Sequence, residues 1–195
     1  MQNMLNLFPI PVSIYENFLS EDEAKKIYDI CKSNTSKRHT SFLGDATSNH
    51  NDDINFLHHL SNTITNLDLR IQNFIDNYSK QVGLRSQKVT NSWFNIQQKN
   101  SVLKPHMHAN SILSGALYIN VDDQSSKLYF DNPNQFIKYF EYNYQELTDY
   151  NFEFFYITPK IGDLVIFPSW LTHSSNGEQN NTENRTVISF NTELR

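Results

Sequence analysis

The spacing of hydrophobic positions along the chain changes near Gly83. Before it, apolar residues recur at steps of three and four, and after it they alternate with polar ones, so the first part predicts helices and the second predicts strands. Phe8-Pro9-Ile10-Pro11-Val12 reads as an extended opening, because each proline turns its predecessor away from helix. Ser20 with Glu23 makes a capping box ahead of Ala24, Ile27, Ile30 and Cys31, which share one helical face. The polar stretch from there to Asp53 predicts a loop. Leu57, Leu60, Ile64, Leu67, Ile71, Phe74 and Tyr78 then predict one long helix, opened by Asn51, Asp52 and Asp53 and stopped by Gly83, that packs one side on a sheet.

Beyond Gly83 the pattern has period two. Asn91, Trp93, Asn95 and Gln97 alternate with Ser92, Phe94 and Ile96. The strand Ile112 to Val121 has unequal faces: Leu113, Leu117, Ile119 and Val121 suit a core, and Ser114, Ala116, Tyr118 and Asn120 suit a cavity. Lys127 to Asp131 predicts a short strand closed by Asn132-Pro133. Pro159 to Gly162 turns into the interior strand Asp163 to Phe167, ended by Pro168. The last strand, Arg185 to Glu193, sets Arg185, Val187, Ser189 and Asn191 against Thr186, Ile188 and Phe190. Between Gln135 and Tyr156 the chain is dense in aromatics, among them Phe136, Tyr139, Tyr142, Tyr144, Tyr150 and Phe154. That segment reads as a satellite hydrophobic cluster or as a lid over a substrate.

Helices early and antiparallel strands late predict a mainly β (α+β) fold, a sandwich or jelly roll with N-terminal helices packed on the sheet. We expect a single domain over residues 1–195, with a mainly helical region at 1–84 and a jelly-roll core at 85–195 that carries the aromatic-rich insertion 132–158.

Composition narrows the function. With 38% hydrophobic residues and only 5 glycines, the chain reads as globular and folded. A net charge of -5 without a basic cluster gives no attraction to nucleic-acid phosphates, so no nucleic-acid partner is expected. Cys31 is the sole cysteine, so no intrachain disulfide forms and a reducing cytoplasm is the expected compartment. No window approaches the roughly 18 apolar residues of a membrane span, and no basic leader opens the chain.

Three histidines carry the candidate chemistry. His106 and His108 sit at spacing two, and His173 follows the apolar strand end Ile166-Phe167; a site of imidazoles suits a transition metal and not magnesium or calcium. Arg185 opens a strand face of small and polar residues, where it could take an anionic cosubstrate.

Pro105-His106-Met107-His108-Ala109-Asn110-Ser111, with Leu113-Ser114-Gly115-Ala116-Leu117-Tyr118 after it, resembles the first metal motif of a group of 2-oxoglutarate- and Fe(II)-dependent oxygenases of bacteria and marine phages. Gly162-Asp163-Leu164-Val165-Ile166-Phe167-Pro168-Ser169-Trp170-Leu171-Thr172-His173 resembles the second, and Arg185-Thr186-Val187-Ile188-Ser189-Phe190-Asn191 the closing one. The resemblance spans Trp93 to Asn191.

It implies a double-stranded β-helix of the cupin-like kind, with Fe(II) at one mouth of the barrel and 2-oxoglutarate as cosubstrate. The implied reaction is a dioxygenation that hydroxylates a substrate and releases succinate and CO2. By the same resemblance His106 is the first ligand and His173 the distal one, Arg185 pairs with the far carboxylate of 2-oxoglutarate, and Tyr118 adds a hydrogen bond to it. Asn95 and Ser189 line the pocket. The superfamily pattern has a carboxylate where His108 stands. His106, His108 and His173 then form a three-histidine triad, or the register shifts to His108 with Asn110 as an oxygen ligand, or Asp131 supplies the carboxylate. A bulky imidazole at that position argues against halogenation. The competing reading is a cupin-like metal protein without 2-oxoglutarate: a three-histidine dioxygenase, a zinc hydrolase or a binding module.

Overall fold

The computed structural model describes residues 7–34, 36–50, 55–134, 144–148 and 150–195. Its centre is a seven-stranded antiparallel sheet in the order β1 (Ser13–Tyr15), β10 (Leu164–Pro168), β7 (Leu113–Asn120), β12 (Arg185–Leu194), β5 (Gln87–Gln97), β4 (Ala46–Ser48) and β2 (Lys37–Arg38). A second sheet orders β11 (His173–Ser174), β8 (Leu128–Asp131) and β9 (Phe154–Ile157), and β3 (Phe42–Leu43) pairs with β6 (Val102–Leu103). This is the expected jelly roll.

The two faces of the large sheet have different tasks, set by the alternation of residues. Leu113, Leu117, Ile119, Leu164, Ile166, Ile188, Phe190, Phe94 and Ile96 face the helices and form one core with them. Ala116, Tyr118, Val165, Phe167 and Val187 face the other way, against Leu128, Phe130 and Ile157 of the second sheet. Val121, which the alternation assigns to the helix side, joins this inner cluster because β7 has already ended at Asn120.

Helix α1 (Glu21–Ser33) begins as its sequence predicts: the Glu23 amide donates to Ser20 Oγ at 3.3 Å, and the Ser20 amide donates to Glu23 Oε2 at 2.9 Å. It buries Ala24, Ile27 and Cys31, while Ile30 is half-buried at the edge.

The single long helix predicted over Leu57 to Tyr78 is instead two, α2 (Phe56–Leu60) and α3 (Leu67–Gln81). The break is at Asn66, whose backbone is left-handed (φ 56), a conformation asparagine tolerates better than most residues. Ser61 closes one helix and opens the next: its hydroxyl donates to Leu57 O at 3.1 Å and accepts from the Asp68 amide at 2.9 Å. The apolar stripe survives the break, since Leu57, Leu60, Ile64, Leu67, Ile71 and Tyr78 are all buried. The expected starters Asn51, Asp52 and Asp53 lie outside the described residues.

Two further expectations are corrected. Residues 36–50, read as loop, contribute β2 and β4 to the large sheet and β3 to a separate pair; these strands are too short to show a period. The aromatic insertion supplies β9, which pairs with β8, while Phe136, Tyr139 and Tyr142 lie outside the described residues. Among the described residues no helix is long and apolar enough to cross a membrane.

Two glycines position the sheet. A Cβ on Gly115 would stand 2.0 Å from the Phe190 ring, so only glycine lets β12 pack this ring over β7. Gly162 has φ +85, and a Cβ there would meet Leu19 O at 2.4 Å.

Candidate metal centre

Backbone pairing brings the three histidines together. The His106 amide donates to His173 O at 3.1 Å, the His173 amide returns to His106 O at 3.0 Å, and the His108 amide donates to Ser169 O at 2.9 Å. His173 is also tied into the second sheet opposite Phe130. Their possible ligand atoms all lie within 4.8 Å of one another, among the described residues the one such group of three or more.

Each imidazole is oriented through its Nδ1, which leaves Nε2 for a metal. The Nδ1 of His106 bonds Lys104 O at 2.9 Å, that of His173 bonds Leu171 O at 3.0 Å, and that of His108 bonds Asn191 Oδ1 at 2.6 Å. Ser114 Oγ joins the last contact, 2.8 Å from His108 Nδ1 and 2.8 Å from Asn191 Oδ1, and Ser169 Oγ lies 2.8 Å behind Ser114 Oγ. Burial, reinforced by His106, pushes His173 down to about 3. Burial likewise lowers His106 and His108. The triad is therefore unprotonated at neutral pH, the form a metal requires.

The histidines stand in a cavity of about 380 Å³ whose lining also includes Asn95, Tyr118, Arg185, Val187 and Ser189. The register of β5 against β12 lays out one wall: Gln97 faces Arg185, Asn95 faces Val187, Trp93 faces Ser189 and Asn91 faces Asn191. Arg185 is buried; its Nη2 donates to Ser126 O at 3.2 Å, and its guanidinium hydrogen-bonds Tyr118 and lies 5.5 Å from that ring's centre. Among the described residues no carboxylate comes within ion-pair distance of it, and its Nε is unpartnered. A buried cation without a counter-ion is costly, so this end of the cavity favours an anion. Burial lowers Arg185, and it pushes Tyr118 up to about 12 against the pull of the guanidinium, so Tyr118 stays a neutral phenol able to donate. Asn95 Nδ2 donates to Ser189 Oγ at 3.1 Å, which leaves Asn95 Oδ1 without a partner, as is Gln97 Oε1 beside Arg185.

The alternatives for the carboxylate position fare differently. Asn110 sits in a turn with φ 60 and is not among the cavity-lining residues. Asp131 lines a separate apolar groove with Ile10, Val12 and Phe155. Among the described residues no aspartate or glutamate lines the metal-site cavity. Of the aromatic insertion, Asn132, Pro133, Phe152, Phe154 and Phe155 line that same separate groove, and none of its described residues lines the metal-site cavity.

Several lining residues escaped sequence reasoning. Trp93 and Asn191 share strand faces with Asn95 and Arg185, and the alternation alone could have found them. His39 and His50 had no such signal, because they flank the short strands β3 and β4 in the stretch read as loop; pairing of β4 with β5 brings them beside Trp93.

Residues 91–191 match the sequence profile of the family described as "Putative 2OG-Fe(II) oxygenase". The chain belongs to that family. It is thus an oxidoreductase of a family that uses Fe(II) and 2-oxoglutarate. No curated protein sequence matches the chain. Among solved structures, a prolyl-4-hydroxylase of Pseudomonas putida is similar at 14% identity with a TM-score of 0.60, over 95% of this chain and 94% of that one. A Trichoplax adhaerens prolyl hydroxylase in complex with a hypoxia inducible factor peptide fragment aligns at 13% identity and TM-score 0.66, covering 93% of this chain and 82% of that one. HygX of Streptomyces hygroscopicus, solved with nickel and 2-oxoglutarate, aligns at 10% identity and TM-score 0.62, covering 95% and 83%. At these identities the likeness is one of fold. The residues present fit the family's cofactors: three neutral imidazoles with free Nε2 atoms suit Fe(II), and a buried arginine without a carboxylate partner suits the far end of a dicarboxylate.

Proposed function

We propose that the protein is a Fe(II)- and 2-oxoglutarate-dependent dioxygenase that hydroxylates its substrate, converting C–H, O2 and 2-oxoglutarate to C–OH, succinate and CO2. The observation that carries this reading is the pairing of two features in one cavity: the convergent triad His106, His108 and His173, and the buried guanidinium of Arg185, which has no carboxylate partner among the described residues.

His106, His108 and His173 hold the metal through Nε2, each fixed in the required tautomer by the acceptor at its Nδ1. Arg185 receives the far carboxylate of 2-oxoglutarate as a charge-assisted contact, and Tyr118 donates its phenolic proton to the same group. Asn95 and Ser189, already bonded to each other, line the wall between these ends. Phe167, Leu128 and Val187 exclude water from the cavity floor, which strengthens each of these polar contacts. Iron bound with 2-oxoglutarate supplies the activation of oxygen and the oxidation of the C–H bond. A reducing cytoplasm, where ferrous iron and the free thiol of Cys31 persist, suits this chemistry.

Anaerobic addition of Fe(II) and 2-oxoglutarate is expected to give a weak visible charge-transfer band that Arg185→Ala removes. In air the loaded protein forms succinate from 2-oxoglutarate. Absence of both the band and succinate would overturn the reading. The all-histidine donor set, with no carboxylate among the described lining residues, favours one second reading, a zinc protein without 2-oxoglutarate. Stoichiometric zinc that iron does not displace, with no 2-oxoglutarate turnover, would decide for it.

A further inference from the structure

One part of the cavity wall is a continuous run of rings. Phe42 meets His39 at 5.2 Å between centroids, His39 stacks on His50 at 4.8 Å and 22°, His50 meets Trp93 at 5.9 Å, and Trp93 meets the ligand His108 at 5.9 Å. The shelf leads from solvent, where His50 is exposed, to the metal ligands, and Met107 stands exposed among the lining residues beside them.

Two N–H groups of the shelf are without a partner. The Ser41 amide donates to His39 Nδ1 at 3.2 Å, so in the neutral ring the proton sits on Nε2, which has no hydrogen-bond partner among the described residues. Burial first, then the neighbouring imidazoles and Lys104, hold His39 at about 4, which keeps it neutral near pH 7. Trp93 Nε1 is a second donor without a partner, on a residue only 8% exposed. Of the unpartnered acceptors of this wall, Gln97 Oε1 stands opposite Arg185, and Asn95 Oδ1 lies between it and Trp93 along β5. Although the protein carries a net charge of -5, no acidic residue among the described residues lines the cavity. Flat ring faces and spare N–H donors, with no carboxylate among the described lining residues, favour planar groups bearing anionic oxygen over cations.

We propose that the shelf formed by His39, His50 and Trp93 is the binding surface for the oxidised substrate, and that it takes a planar group carrying an anionic oxygen function, a carboxylate or a phosphate ester, held by the His39 and Trp93 N–H donors. The proposal rests on the oxygenase reading of the cavity, in which 2-oxoglutarate occupies the Arg185 end.

The test uses full-length protein loaded with Zn(II) and saturated with 2-oxoglutarate, titrated calorimetrically with benzoate, phenyl phosphate, benzamide and benzylamine. At least one of the two anions is expected to bind about tenfold or more tighter than benzamide, with benzylamine not binding; whichever of benzoate and phenyl phosphate is tighter identifies the anionic group. Trp93→Phe, which keeps a ring and removes the N–H, and His39→Ala are each expected to weaken the tighter anion about tenfold while 2-oxoglutarate affinity stays within about twofold. Binding of benzamide or benzylamine as tight as that of both anions, no binding of either anion, or anion binding indifferent to both substitutions would overturn the proposal. Failure of Zn(II) or 2-oxoglutarate to load is seen before any aryl compound is added; it overturns the oxygenase reading and this proposal with it.

Discussion

The imidazole Nδ1 of His108 lies 2.6 Å from the carboxamide Oδ1 of Asn191, near the far end of the strand that Arg185 begins. The contact ties the most unusual member of the triad to the same strand that carries the anion-binding arginine. It also does so without any charge. Ser169, Ser114 and Asn191 form a chain of neutral groups behind His108, where a carboxylate partner would make the ring a more basic ligand.

Removal of that support is expected to act on the metal. Asn191→Ala leaves His108 Nδ1 with Ser114 Oγ alone, and metal affinity should fall about 10-fold, the low end of what loss of such a partner costs. Asn191→Asp restores an acceptor and adds charge, and should bind metal at least as tightly as the parent. Competition with a chromophoric chelator, using Zn(II) or Co(II), reads both. An alanine variant with unchanged affinity would show that Ser114 is sufficient.

Tyr118 gives a prediction about pH. Burial raises its hydroxyl to about 12, so the folded protein keeps a neutral phenol at every pH below that value. Its contribution to 2-oxoglutarate binding should therefore be present and constant from neutral pH up to about 10, where an unperturbed tyrosine is already half ionised. Tyr118→Phe should weaken 2-oxoglutarate binding by about 0.5–1.5 kcal/mol, the net worth of one hydrogen bond. Anaerobic titrations of parent and variant at several pH values check this; a ratio of affinities that shrinks between pH 8 and 10 would contradict it.

The two close glycines should differ in how they fail. Gly115→Ala drives a methyl into the Phe190 ring, which is fully buried and has no free direction to move, and overpacking of that kind costs about 1–3 kcal/mol. Gly162→Ala adds left-handed backbone strain to a clash with the carbonyl of Leu19, a rigid group that also accepts no displacement without loosening the Leu19 amide bond to Gly162 O. Its loss should equal or exceed that of Gly115→Ala in urea unfolding. Equal stability of Gly162→Ala and the parent would mean that the segment before α1 moves freely.

What was legible in the sequence follows from which interactions are local. The capping box at Ser20 and Glu23 and the alternating faces of β5, β7 and β12 depend on neighbours two to four residues apart, and they form as the pattern predicts. His106, His108, His173 and Arg185 were picked out by residue type and order, and the fold brings them to one cavity. The break at Asn66 was hidden because the apolar stripe continues across it; a left-handed residue rotates the chain without changing which side is buried. The strands β2 and β4 were hidden for the opposite reason. They are two and three residues long, and their stability comes from pairing with each other and with β5, far along the chain. His39 and His50 reach the cavity through that pairing, so no local signal announced them.

The last prediction concerns stability and its dependence on acid. Arg70 Nη1 lies 2.5 Å from Glu23 Oε1, Nη2 reaches Phe18 O, and the guanidinium packs 4.8 Å from the Phe18 ring centre. The contact fastens α3 to the start of α1. Burial by itself would raise the Glu23 carboxyl, but the Arg70 hydrogen bond and charge and the Ser20 amide together hold it below its ordinary value of 4.5. A carboxyl lowered on folding adds stability that is fully present above pH 4.5 and is lost as the pH falls through its lower folded value. Glu23→Gln keeps the shape and removes the charge, so at pH 7 it should cost about 1 kcal/mol, a figure limited by partial exposure of both side chains. As the pH falls below 4.5 and through the lowered folded value the difference between variant and parent should shrink toward zero, because the parent carboxyl becomes protonated too. Urea unfolding at pH 7, 5 and 3 measures the difference directly. If the cost is the same at all three values, Glu23 acts as a helix cap and neutral hydrogen-bond acceptor, and the ion pair contributes nothing.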